Sequence, residues 1–319
     1  MSFMQALEII FPSMMVLAAP LILTAIGGVL SERAGVVNIG LEGLMIIGAF
    51  AAIVFNLTFY DVFGDQTKWI ALLVGMAVGG VFSLLHALAS ITFRADQVIS
   101  GVAINLLALG IGLFYIKSVF GKGQTDRISD PFYSTNIPFL SDIPIIGDLF
   151  FTKVYWTSFI AIGLAILVWI VVYYTPFGLR LRAVGEHPMA ADTMGINVTR
   201  MRYLAVFLSG LLGGLGGAVF AETISHDFSH ATITGQGFMA IAAMIFGKWH
   251  PIGAAGAAIF FGFAQSLSRV GPSLPYIENI PSVILLIAPY VLTIIALAGF
   301  IGRYEGPKAL NVPYIKGKR

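Results

Sequence analysis

Nine stretches of the chain contain no Asp, Glu, Lys or Arg: 11–30, 43–60, 69–93, 98–116, 154–174, 203–221, 237–247, 251–267 and 282–301. Most come near the roughly 20 residues that a helix needs to cross a ~30 Å hydrocarbon core. The run 237–247 is too short for that. It is expected as a half-span, or as the apolar part of a helix whose ends sit in protein or water. The pattern predicts an all-α membrane protein, a polytopic bundle of about 8–9 transmembrane helices with interrupted and short helices, forming one domain over 1–319.

The charged residues between these runs set an orientation. The connection 175–202 holds Arg180, Arg182, Arg200 and Arg202, and the tail 302–319 holds Arg303, Lys308, Lys316, Lys318 and Arg319. Both are expected in the cytoplasm, by the excess of basic residues on that side of bacterial membranes. The connection 121–152 sets Lys122 and Arg127 against Asp126, Asp130, Asp142 and Asp148, and the loops 222–236 and 271–281 have no Lys or Arg. These are expected outside. Nine crossings then put the N-terminus outside and the C-terminus in the cytoplasm; a re-entrant 237–247 would lower the count to eight.

Composition agrees with the pattern: the chain is 58% apolar and 11% charged, with a mean hydropathy of +0.90. A soluble domain is typically about a quarter charged. The net charge of +2 gives no electrostatic footprint for a nucleic-acid partner. The absence of cysteine excludes disulfides, thiolate catalysis and Cys-ligated zinc. The first eleven residues carry no Lys or Arg, so the opening run lacks a basic leader and is expected to remain as a span.

Two polar stretches interrupt the apolar pattern. Between the first two runs, 31–43 reads Ser-Glu-Arg-Ala-Gly-Val-Val-Asn-Ile-Gly-Leu-Glu-Gly. Interrupted helices at such places often line substrate paths, because freed backbone groups need polar partners; the alternative is a cytoplasmic turn that happens to be polar. Asn38 and Glu42 are four apart and are expected on one helix face. Within the spans His86 and Asn105 are the main polar groups, and either an interhelical hydrogen bond or a substrate contact accounts for them. Asn38, Glu42, Asn105 and His86 are therefore the candidate pathway residues.

The second stretch, 175–197, carries Pro188 at a position suited to the first turn of a helix and Gly195 just past its end. The six or seven residues between them, including Ala190, Ala191 and Asp192, make a helix too short to stand alone. It either docks in an apolar groove of a partner or lies on the protein's own face. Gly210, Gly213, Gly214 and Gly217 mark a crowded helix crossing.

No His-Glu-x-x-His, Gly-x-Ser-x-Gly or Gly-x-x-x-x-Gly-Lys-Ser/Thr pattern occurs, so the chain has no nucleotide-binding loop of its own and no catalytic constellation. His226 and His230 form the one close histidine pair, a weak signal for zinc. A stand-alone secondary transporter would need coupling carboxylates or histidines in its spans, and the apolar runs contain none but His86.

Three segments carry a family resemblance. Gly-Val-Val-Asn-Ile-Gly-Leu-Glu-Gly at 35–43, the 178–197 stretch, and Gly-Gln-Gly-Phe-Met-Ala-Ile-Ala-Ala-Met-Ile-Phe-Gly at 235–247 followed by Pro-Ile-Gly-Ala resemble permease subunits of the branched-chain amino-acid and ribose class of ABC importers. The form Asn-Ile-Gly-Leu-Glu-Gly is most similar to the nucleoside branch. Simple sugars or branched-chain amino acids are the alternative cargo.

The resemblance implies half of a pore completed by a second, related permease. It also implies a cytoplasmic ATPase with two nucleotide-binding halves and an outside substrate-binding protein, often a lipoprotein. ATP would be bound by the partner, with no cofactor on this chain. The segment containing Gly185, Glu186, Pro188, Ala190, Ala191, Asp192 and Gly195 would couple the permease to the ATPase.

Overall fold

The computed structural model describes residues 3–144, 146–271 and 306–317, with isolated positions between 281 and 294. The last expected span, 282–301, and the loop 271–281 lie outside the described residues apart from those isolated positions and Gly271. Among the described residues eleven continuous α-helices follow in order: α1 (Phe3–Arg33), α2 (Leu41–Phe63), α3 (Thr67–Ala87), α4 (Gln97–Phe120), α5 (Ile146–Phe150), α6 (Trp156–Tyr174), α7 (Pro176–Glu186), α8 (Pro188–Thr193), α9 (Val198–Phe220), α10 (Gln236–Phe246) and α11 (Pro251–Val270). Wider π turns, Leu88–Thr92 and Ala221–Ser225, extend α3 and α9. Among the described residues there is no strand, only two isolated bridges, Gln124 to Ser229 and Thr135 to Val154.

Among the described residues, which leave out most of the expected span 282–301, six helical segments are long and apolar enough to cross a membrane, against the eight to nine expected of the whole chain. Part of the difference lies in the segment Leu41–Thr92, which is 52 residues long. It is not a rod. Gly64 breaks the helix at φ 51° and ψ −132°, and Gly75 of α3 lies against the Gly48 carbonyl of α2. A straight helix would hold those two residues roughly 40 Å apart. The segment is thus an antiparallel pair, α2 and α3. The 11 residues of α10 span about 16 Å, half of the hydrocarbon core.

Core packing follows the small residues. A Cβ on Gly48 would fall 2.2 Å from the Gly214 carbonyl oxygen, and one on Gly217 would fall 1.9 Å from that of Met45. Helices α2, α3 and α9 therefore meet backbone to backbone, as the glycine spacing of 210–217 led us to expect. Helix α1 runs through the centre: Leu21, Ile22, Leu23, Ala25 and Ile26 are fully buried. By contrast Ile99, Leu106 and Phe114 of α4 are exposed, as residues facing lipid or another subunit must be.

The two ends of the bundle differ. At one end the chain 124–132 pairs with 222–228, where the amides of Thr125, Ile128 and Phe132 donate to the carbonyls of Phe228, His226 and Glu222. Lys68 and Asp130 pair there at 2.6 Å, and Arg127 lies 3.7 Å from Asp227. The other end gathers the end of α1, α7, α8, the α10–α11 corner and the tail 306–317. Arg33 Nε donates to the Trp249 carbonyl at 2.9 Å, and Ala309 N donates to the Gly185 carbonyl at 2.9 Å.

Candidate functional site

The polar interruption after α1 is a built break. Gly35 turns the chain at φ +87°, residues 36–38 have no regular structure, and α2 starts at Leu41. Asn38 therefore lies outside the helix that carries Glu42, and the two do not share a helix face. Their partners differ accordingly. Asn38 Nδ2 donates to Ser209 Oγ of α9 at 3.0 Å. Glu42 accepts from the amides of Gly235 and Gly237, both at 2.6 Å.

Glu42 thus caps α10 with both carboxyl oxygens, where the unpaired N–H groups of a helix start favour an acceptor. Gly235 adopts φ +76°, and a Cβ on Gly237 would fall 2.4 Å from the Glu42 amide nitrogen. This close approach is why 235–237 reads Gly-Gln-Gly. Helix α10 then begins at Glu42 and ends at the corner beside Arg33, with the chain 226–235 leading to it from the opposite end of the bundle. It is an interrupted span of the kind that lines transport paths.

The other candidates hold the break in place. Asn105 Oδ1 accepts from Gly43 N at 2.7 Å, and Asn105 Nδ2 donates to the Ile39 carbonyl at 3.1 Å. His86 places Nδ1 2.9 Å from Ser100 Oγ and Nε2 2.9 Å from the Val37 carbonyl. Gln97 Oε1 accepts from Val37 N at 2.7 Å, and Ser31 Oγ donates to the Val36 carbonyl at 2.8 Å. Gln97, Ser31 and Ser209 were not among the candidate residues. Gln97 sits beside a charged turn and gave no signal, since only the fold brings it to Val37.

A second polar centre also escaped notice. Glu222 and Asn56 are buried, with Asn56 Nδ2 donating to Glu222 Oε2 at 2.9 Å. Asn56 belongs to an apolar run, and Glu222 was assigned to a loop. Asn38 Oδ1, Asn56 Oδ1 and Glu222 Oε1 are buried without a hydrogen-bond partner among the described residues.

At the basic end, Thr175 caps α7 by accepting from Gly178 N at 3.2 Å. The helix α7 itself went unforeseen, although the pair Thr175-Pro176 is a helix-start signal. Leu181 and Val184 are buried, and Gly185 packs so closely on α1 that a Cβ would fall 2.0 Å from the Arg33 carbonyl oxygen. Pro188 opens α8, and Gly195 turns the chain at φ +82°, both as the sequence led us to expect.

The short helix has two faces. Ala191 is buried with Val184 and Val198, and Tyr314 of the tail packs against this cluster. Ala190 and Thr193 are exposed, and Met194 is 82% exposed. The tail adds further clamps: Lys308 N lies 3.4 Å from Glu186 Oε2, and buried Arg202 donates from Nη1 to the Val312 carbonyl at 2.9 Å. Asp192 and Gly195 line, with Tyr314 and Lys316, a cavity of about 530 Å³.

One network joins this face to α10. Arg33 also reaches the Tyr173 hydroxyl at 3.3 Å, and the Arg182 guanidinium lies over the Tyr173 ring at 4.8 Å. Trp249 Nε1 donates to Glu32 Oε2 at 2.6 Å. The corner after α10 is thereby tied to α1, α6 and α7.

A multi-pass bundle with an interrupted apolar helix, a clamped polar break and a small exposed helix at its basic end defines a transport-type membrane protein. Residues 10–297 match the family described as the branched-chain amino acid transport system permease component, and the chain belongs to it. It is a transport component and not an enzyme. It is 64% identical over 319 residues, the whole of both chains, to the guanosine ABC transporter permease protein NupQ of Bacillus subtilis (strain 168). It is 51% identical over 318 residues to the nucleoside ABC transporter permease protein NupC of Lactococcus lactis subsp. cremoris (strain MG1363), again the whole of both chains. A more distant relative, the guanosine ABC transporter permease protein NupP of Bacillus subtilis (strain 168), is 25% identical over 292 residues, covering 89% of this chain and 80% of that protein.

Proposed function

We propose that this chain is one permease of an ABC importer for nucleosides, paired with a second, related permease. The full-length identity to a guanosine permease carries this reading. The likeness to both NupQ and NupP, two guanosine permeases of one bacterium, supports a heterodimeric pore. The importer would be completed by a cytoplasmic ATPase and an outside substrate-binding protein. The basic end faces the cytoplasm, and α8 presents Ala190, Thr193 and Met194 to the ATPase.

Motion of α8 is carried by α7 to Arg33, because Gly185 rests directly on that residue's backbone. From Arg33 and Glu32 it passes to the Lys248–Trp249 corner and so to α10. The far end of α10 is anchored on Glu42, beside the break that holds Asn38. ATP-driven movement at the basic end would thus shift a half-helix whose tip lies at the break.

The test is uptake of radiolabelled nucleosides and simple sugars by cells expressing the assembled importer, with and without this chain. Guanosine and related nucleosides are expected to accumulate only when the chain is present. Uptake of sugars alone would reject the cargo assignment.

A further inference from the structure

A cleft of about 740 Å³ opens between α7 and the start of α9, beside the exposed helix α8. Leu179, Arg180, Ala183 and Met194 line it, facing Arg200 and Leu204, and no acidic side chain is among its lining residues. Neither Arg180 nor Arg200 has an ion-pair partner among the described residues. Two guanidinium groups without an ion pair at one cleft attract an anion, and their planar donor sets match phosphate oxygens.

The apolar part of the cleft is laid out by depth. Leu204 stands one helical turn beyond Arg200 on α9 and is 41% exposed, while Leu179, next to Arg180 on α7, is 63% exposed. Just before α7, Trp169 and Tyr174 pack edge to face at 5.2 Å, and Tyr174 is 70% exposed. Aromatic residues at the end of a span mark the headgroup level of the bilayer. The arginines therefore sit near that level, with exposed leucines beside them.

We propose that this cleft binds an anionic phospholipid, its phosphate held between Arg180 and Arg200 and its acyl chains lying along Leu179 and Leu204. Basic clefts between helices on the cytoplasmic side have the charge and shape to hold such headgroups. The bound lipid would stand directly against Met194 and Gly195, the turn that closes α8. It would brace the segment that meets the ATPase.

Native mass spectrometry of the full chain, offered equal amounts of phosphatidylglycerol and phosphatidylcholine in mild detergent, tests this. Wild-type protein is expected to retain phosphatidylglycerol preferentially. The Arg180→Gln, Arg200→Gln variant should lose that preference, by about fivefold for each arginine removed. The Arg180→Lys, Arg200→Lys variant should keep most of it. Equal retention of the two lipids by the wild type would overturn the proposal, whether or not the glutamine variant folds. So would an undiminished preference in a folded glutamine variant. If that variant keeps its lipid but no longer co-purifies the ATPase, the cleft belongs to the ATPase instead.

Discussion

Asn38 differs from Glu42, Asn105 and His86 in what its side chain has left to give. Both Glu42 oxygens, both Asn105 polar atoms and both His86 nitrogens are engaged within the fold. Asn38 spends only its amide nitrogen, and its buried oxygen has no partner among the described residues. Asn38→Ala is therefore expected to lower nucleoside uptake a few-fold to about tenfold, the worth of one neutral hydrogen bond of ~0.5–1.5 kcal/mol. Its melting temperature in detergent should fall less than that of Glu42→Ala, since one hydrogen bond, to Ser209, is lost rather than two. Glu42→Ala should chiefly lower stability, because two hydrogen bonds to the start of α10 are lost together with its cap. A melting curve for Glu42→Ala that overlays the wild type would refute the capping role.

His250 offers a pH test outside the spans. It caps α11, its Nδ1 accepting from Gly253 N at 3.4 Å. Burial, and then the charge of Arg33, hold its pKa below the ordinary histidine value. A base with a lowered pKa in the folded state stabilises above its unfolded pKa, and that contribution is lost as pH falls through the folded value. Melting temperature should accordingly decline below about pH 6.5. His250→Asn keeps a capping side chain without the titration, and its decline should be shallower over the same range.

At the scale of elements, the short helix α8 shows what the sequence could and could not reveal. Pro188 and Gly195 announced its two ends because proline at a helix start and a left-handed residue at its close are local requirements. Which alanine faces outward was not legible, since that depends on α7, α9 and the tail packing against Ala191. Ala190→Asp or Met194→Asp should leave the permease folded and reduce co-purified ATPase, whereas Ala191→Asp buries a charge and should lower yield and melting temperature. Normal ATPase recovery in both exposed-face variants would place the contact elsewhere. The apolar runs were legible for the same local reason, as were the glycines of α9. The break at 34–40 was recognised as polar, but its geometry was not, because its partners Gln97, Asn105 and Ser209 come from distant helices.

For the whole molecule, the remaining question is which way the bundle faces the membrane. The clamped end brings together Arg33, Arg180, Arg182, Arg200, Arg202, Lys248 and the tail residues Lys308 and Lys316. At the other end, Lys68, Lys122 and Arg127 lie beside Asp130, Asp126 and Asp227. The basic excess therefore belongs to the clamped end, which the positive-inside rule assigns to the cytoplasm. The tail is held there by Gly185 and Arg202, independently of how the chain runs through 272–305. Helix α1 ends there as well, at Arg33, and its 31 residues extend about 46 Å, so its start lies at the opposite face. The N-terminus should thus be outside and the C-terminus inside. Because the chain has no native cysteine, single substitutions report cleanly. Ser2→Cys should react with a membrane-impermeant maleimide in spheroplasts, and Lys316→Cys only after the membrane is opened. The inverse result would turn the protein over, placing α8 where no ATPase could meet it and removing the basis for coupling through Arg33.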